Sequence, residues 1–522
     1  MRDHTLRLAL AAAGCSVGLS LSVFAAESSS AAKRPTFSRD VAPILYENCL
    51  ECHRAGEAAP MSLRTYDEAR PWAKAIKDMV STRKMPPWFA DPNHGTFKND
   101  ARLSDEEIET IVRWVDSGAP KGDAKDMPEA PEFTTGWRLG EPDFVVNLPE
   151  VNVPADGGDY FPDLTFTADL PEDRWIQAVE FRPSNLAVTH HVVIFMNGGI
   201  GMNGRFDVLG VWSVGTEPNV YPDGMGRRLE KGQRLMANMH YHPNGTAQKD
   251  QTRIGLHFGE GDLKHEVRAA LAGSFSLQVP ANTPNHQETA SWYVDQDIKI
   301  ISLFPHMHLR GKDMRMTAAY PDGKEEVLLN VPGYDFNWQL FYYPTEAITL
   351  PAGSRVDILA HYDNSTGNPN NPAPDRDVFF GTSTDDEMLF GIFEYIEVGD
   401  GAISEEDKLT KFAATFPKGE AYSVSVPMGE ARLSSVMHLP RQGNGQWLLI
   451  FNGTQIALPI ENLTWKGDSC QGDVLFKLGR FGGQVILKAT VLPDGKLDGQ
   501  LMSDGATPFM IPKFEGQVFV RE

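Results

Sequence analysis

Pro321-Asp322-Gly323-Lys324, with apolar runs on either side, is the stretch whose reading decides the fold of this chain. Glycine accepts the left-handed backbone angles that tight turns demand, so the flanking runs read as two antiparallel strands of a hairpin. Outward from it, short runs of alternating apolar residues separated by Pro, Gly, Asn and Asp extend from Phe161 to Asp400, with no long amphipathic helix among them. One or two β-sandwiches are expected. Beyond about Ala402 the pattern is again β, with alternation over Gln484 to Thr490 and a turn at Pro493-Asp494-Gly495-Lys496 leading into the next strand.

The residues ahead of this region have a different texture. Ser104 to Glu107 forms a capping box, and Ile108, Ile111, Val112 and Val115 then recur at helical spacing until Gly118 and Pro120 stop the helix. Upstream stands Cys49-Leu50-Glu51-Cys52-His53, in which both sulfurs can form thioethers to haem while the histidine ligates the iron. Half a zinc site or a redox pair would use the same spacing. However, only Cys15, Cys49, Cys52 and Cys470 occur, so there is no second cysteine pair, and Cys470 reads as a lone thiol. One covalently bound haem c is expected. The segment from Lys33 to Asp123 resembles the class I cytochrome c family, which implies a distal methionine ligand. Met85 in Met85-Pro86-Pro87-Trp88 is the best match, with Met61 and Met79 as rivals.

At 522 residues the chain is too long for one core, and about 150 residues per domain suggests three or four units. Seventy acidic against 48 basic side chains give a net charge of −22, which repels nucleic acid. Arg2 and Arg7, an apolar stretch from Leu8 to Phe24 and small residues at Val23, Ala25 and Ala26 read as a cleavable signal peptide over 1–26, hence a periplasmic or otherwise exported protein. Lipid attachment at Cys15 is the less favoured alternative. No later run approaches the ~18–20 apolar residues of a transmembrane segment.

Histidines concentrate in three places: His190-His191, His240-Tyr241-His242 and His306-Met307-His308. Residues two apart on a strand share a face, so His306 and His308 can share one metal, as can His240 and His242. Adjacent His190 and His191 should face opposite sides of a regular strand, so holding one ion with both needs a twist or a strand end. Imidazole suits copper, zinc, iron or nickel, and an added methionine thioether shifts the preference towards copper(I).

Four ordered motifs resemble the type II copper monooxygenases, the family of dopamine β-monooxygenase and peptidylglycine α-hydroxylating monooxygenase. They are Thr189-His190-His191-Val192-Val193, Met239-His240-Tyr241-His242, Pro305-His306-Met307-His308-Leu309 and Asp386-Glu387-Met388. The resemblance implies two copper ions: an electron-transfer copper on His190, His191 and His240, and an oxygen-binding copper on His306, His308 and Met388, the catalytic trio. It implies a copper-dependent monooxygenase that hydroxylates a C–H bond of a small organic substrate with O2; animal members of the family take electrons from ascorbate, whereas the haem motif of this chain leads to the expectation that electrons pass from an external donor through its own haem. A haem and copper electron carrier, or an oxidase releasing peroxide, are the alternatives. The chain departs from the family in having no cysteine between Cys52 and Cys470, where animal relatives carry disulfides, and in placing Phe304 where the peptide-amidating enzyme has a substrate-anchoring arginine. The expected fold is multi-domain: a small all-α cytochrome c domain at 33–123, a linker at 124–135, two copper-binding antiparallel β-sandwiches at 136–272 and 273–400, and a C-terminal β-domain at 401–522.

Overall fold

The computed structural model describes residues 34–503 and 513–518, apart from 58, 134–135, 197–206, 260–262, 400–412, 414–420, 429–430, 452–453 and 479–480. The export segment expected at 1–26, with Cys15, lies outside the described residues. The opening hairpin forms as read. Tyr320 N–H donates to the Lys324 carbonyl at 2.8 Å, Gly323 sits at φ 88°, and Gly311–Ala319 pairs antiparallel with Glu325–Val331.

Nine strands form one sheet. Phe144–Asn147, Arg253–Phe258, Arg174–Arg182 and Met225–Leu229 make its first half, and His265–Gly273, Phe390–Glu397, Ile298–His306 and Ile348–Leu350 its second, with Asn219–Val220 paired to the side. The halves join where Met225 and Gly226 pair in parallel with His265 and Glu266. A four-stranded sheet covers each half. Over the first lie Asp163–Thr167, Arg234–Tyr241, Thr189–Met196 and Val208–Ser213, packing Val192, Ile194 and Ala237 on Ile176, Val179 and Leu256. Over the second lie Thr283–Tyr293, Arg355–Asn364, Gly311–Ala319 and Glu325–Val331. Arg355–Asn364 shows why this sequence makes a sheet: Val356, Ile358, Ala360 and Tyr362 alternate inwards to meet Ile300, Leu303 and Phe393. Each such side chain contributes on the order of 1.5–3 kcal/mol by leaving water.

The C-terminal strands, from Ala421–Met428 to Lys513–Val518, close into an eight-stranded barrel with Cys470 in its core.

A separate all-α domain does not form, and in this respect the expected fold class is corrected. Strand makes up 44% of the chain and helix 11%, and the α-helices are short: Ala42–Asn48, Tyr66–Ala69, Ala73–Ser81 and Asp105–Asp116. They share a small core of Phe37, Leu45, Leu50, Ile111 and Trp114. The connection between the third and fourth helices leaves that core and joins the β body, burying Trp88, Ala90 and Phe97 among the residues of the second sandwich-like half. Trp88 and Phe97 lie edge-on to Tyr342 at 4.8 and 5.5 Å, and Asp91 N–H donates to the Asn330 carbonyl at 2.8 Å. The small helical core is filled by Phe37 and Trp114, and the aromatics of this connection are buried instead against the larger sheet core. The two sandwich-like β halves each keep their own core and are joined into one sheet by the short parallel pairing at Met225 and His265. No helix among the described residues is long and apolar enough to cross a membrane.

Candidate metal centre

His190 and His191 lie on Thr189–Met196, which pairs with Arg234–Tyr241. Thr189 faces Tyr241 and His191 faces His240, and the register shifts between them, leaving His190 as the extra residue of a bulge. A bulge turns a side chain that regular alternation would send to the opposite face. His190 Nδ1 consequently lies 3.2 Å from His191 Nδ1, which is 3.4 Å from His240 Nδ1. Two imidazole nitrogens on a tetrahedral ion at about 2.0–2.1 Å sit about 3.3 Å apart. The single lone pair of His191 Nδ1 cannot accept fully from two neighbours, whereas an ion between the three would satisfy all of them. Among the described residues this is the one group of three His, Cys, Asp or Glu side chains gathered so closely, with ligand atoms within 4.8 Å of one another. Burial, then the charge of His240, pushes His190 down to about 3, and burial takes His191 well below its ordinary value. Both are neutral near pH 7, as ligation requires.

His240 is oriented by Asp159, which sequence reading missed. His240 Nε2 donates to Asp159 Oδ2 at 2.8 Å, leaving Nδ1 to face the trio. Exposed His242 donates to Asp159 Oδ1 at 2.7 Å, and Thr384 of the second half donates to Oδ2 at 2.5 Å. The structure therefore gives His242 to Asp159 and does not bring it into the trio. Burial works to raise the Asp159 carboxyl, but hydrogen bonds from His240 and Thr384 outweigh it and hold the group well below the usual carboxylate range. Asp159 and His240 are 81 residues apart, and no spacing rule links them.

His306 is the last residue of Ile298–His306, and His308 stands just beyond it. Each donates from Nδ1 to an acceptor behind it, His306 to Gln339 Oε1 at 2.9 Å and His308 to the Asp386 carbonyl at 3.1 Å, leaving both Nε2 atoms free of those bonds. The rings lie 5.3 Å apart and nearly perpendicular. Burial pushes them down to about 4 and about 3. Met388 is buried, and its backbone is fixed by Tyr362, whose hydroxyl donates to the Met388 carbonyl at 2.8 Å. Fully buried Glu387 accepts from the backbone N–H groups of His308 (2.9 Å), Arg310 (2.7 Å) and Met388 (3.2 Å). Burial, opposed by those bonds, pushes its carboxyl up to about 7. The Asp386-Glu387-Met388 run thus braces the histidine turn and leaves the Met388 sulfur for other use.

The two sets meet at one cavity of about 230 Å³, lined in part by His191, His240, His306, His308 and Met388. Between them stands Phe336, stacked on His190 at 5.3 Å and edge-on to His308 at 5.8 Å. Its loop ties the halves together: Gln339 Nε2 donates to the Phe336 carbonyl at 2.8 Å, and Ser213 Oγ, next to the His191 pairing, donates to the Gln339 carbonyl at 2.9 Å.

In the helical segment Cys49 caps Ala42–Asn48, and one backbone turn gathers the motif, with His53 N–H donating to the Cys49 carbonyl at 2.8 Å. Neither cysteine is in a disulfide, and burial pushes the Cys49 thiol up to about 12 and raises that of Cys52. His53 Nδ1 lies 3.2 Å from the Met61 carbonyl, which leaves Nε2 for a metal. Two free thiols and a histidine held from behind fit a covalently attached haem.

No family model matches this chain, and no curated protein does. Among solved structures, the major capsid protein P2 from bacteriophage PM2 aligns at 10% identity over 50% of this chain and 99% of its own, with a TM-score of 0.24. The T13 IBDV viral particle aligns at 9% identity over 52% and 85%, with a TM-score of 0.14. Likeness this slight says nothing about fold or activity.

Proposed function

We propose that this chain is a copper-dependent monooxygenase that hydroxylates a C–H bond of a small organic molecule with O2, receiving electrons from an external donor through its own c-type haem. The observation that carries the reading is the convergence of three imidazole Nδ1 atoms across the His190 bulge, facing a cavity shared with His306, His308 and Met388. Copper ions held by these two sets would supply one-electron storage and dioxygen activation. The protein's own part is to keep His190, His191, His306 and His308 unprotonated by burial, to aim His240 through Asp159, His306 through Gln339 and His308 through the Asp386 carbonyl, and to offer one soft thioether, Met388, which distinguishes the second set from the first. Cys49 and Cys52 would anchor the haem, His53 would ligate it, and Met85 is the proposed distal ligand.

Metal and haem content of the purified exported protein, with substrate oxidised under isotopically labelled O2, tests this. One haem and two coppers per chain, one copper lost on His306→Ala or Met388→Ala, and labelled oxygen in the product are expected. Haem without copper, or zinc in its place, overturns the reading, and copper without product labelling leaves an electron carrier or a peroxide-releasing oxidase.

A further inference from the structure

The cavity between the histidine sets has a chemistry that metal binding does not explain. Its volume is about 230 Å³, whereas a dry apolar cavity of about 150 Å³ takes up benzene. Away from the histidines its walls include Phe195, Val208, Met236, Phe304, Phe390 and Ile392.

Two buried charged residues also line it, Arg227 and Glu394, only 3% and 6% exposed. Their hydrogen-bonding capacity is turned on each other and on fixed neighbours. Arg227 Nη2 donates to Glu394 Oε1 at 2.8 Å, Nε to the Tyr221 hydroxyl at 2.8 Å and Nη1 to the Val267 carbonyl at 3.3 Å. Glu394 further accepts from Tyr221 at 2.7 Å and from Ser302 at 2.8 Å. The pair is electrically closed and offers no charge to a ligand. Asp163 lies at the exposed mouth, where it accepts from Asn238 at 2.7 Å. Past Asp163, an ionic ligand seated in the interior would give up its hydration and meet no unpaired opposite charge, whereas a hydrocarbon gives up nothing.

We propose that the cavity binds a compact, uncharged, mainly apolar molecule of one or two rings, its body against Phe195, Phe304 and Phe390 and one edge towards His306, His308 and Met388. Calling that molecule the substrate rests on the monooxygenase reading, but the binding itself rests on the cavity alone.

The test is calorimetric titration of the purified protein, as isolated and after copper removal, with indane and with 2-aminoindane, its ammonium analogue. Indane should bind both forms, at least about tenfold more tightly than the amine. Ala269→Phe, which fills part of the cavity, should abolish binding; Val211→Phe on the facing wall serves if that variant does not fold. No binding of indane, equal or tighter binding of the amine, or indane affinity unmoved by the folded variant overturns the proposal. Indane bound by the copper-free protein but never oxidised by the copper-loaded one upholds this proposal and removes the monooxygenase reading instead.

Discussion

His190 and His191, adjacent in the chain, point to the same side of their strand with Nδ1 atoms 3.2 Å apart, because His190 is the extra residue of a bulge against Arg234–Tyr241. Everything proposed for the first ligand set depends on that local departure from alternation and on His240 opposite it.

Asp159 holds His240 from behind through Nε2, on the far side of the ring from the three converging Nδ1 atoms. Asp159→Asn should weaken copper binding at the proposed His190, His191 and His240 site by about 10–100-fold while leaving the proposed His306, His308 and Met388 site unchanged. Titration against a competing chelator reads both affinities. Equal weakening of both sites, or of neither, would remove Asp159 from its orienting role.

Phe336 fills the space between His190 and His308. Phe336→Ala should retain both coppers, because Gln339 still holds His306 and Ser213 still holds the loop. Water would then enter the gap, and reduced oxygen should be lost as peroxide instead of reaching product. The ratio of peroxide to product, measured against wild type, is the decisive quantity; an unchanged ratio would show that Phe336 is mere packing.

Acid should destabilise the copper-free protein. His190, His306 and His308 titrate at about 3, 4 and 3 when folded, all depressed chiefly by burial. Unfolded, they take up protons near pH 6.5. Between about pH 6.5 and 4 the unfolded state therefore binds more protons, and stability falls with falling pH by on the order of 1.4 kcal/mol per pH unit for each such group. Denaturant unfolding across that range measures the slope. A stability that stays flat would mean these imidazoles are already protonated or unburied in the folded state.

Trp88 belongs by sequence to the helical segment and by packing to the β body. Trp88→Ala should cost about 3–5 kcal/mol, and the loss should appear in unfolding of the β body followed by strand circular dichroism. If the β transition stayed in place and only helical signal were lost, the helical segment would be an independent unit after all.

Local chemistry was open to sequence reading. The Pro321-Asp322-Gly323-Lys324 and Pro493-Asp494-Gly495-Lys496 turns, the Ser104–Glu107 capping box and the Cys49-Leu50-Glu51-Cys52-His53 turn each depend on a few successive residues, and the structure shows each of them. The histidine pairs and Met388 could be named as candidates from spacing and family resemblance, because residue type survives without coordinates. Only the tertiary structure decided how they meet. The bulge at His190 depends on a partner strand some fifty residues on, Asp159 reaches His240 across 81 residues, and Phe336 and Gln339 arrive on a loop from the other half. The fold class went the same way. Whether Trp88 and Phe97 stay with short helices or join a sheet core, and whether Met225 pairs with His265 to make one sheet of two, depends on how much apolar surface each arrangement removes from water, a quantity that no local pattern carries.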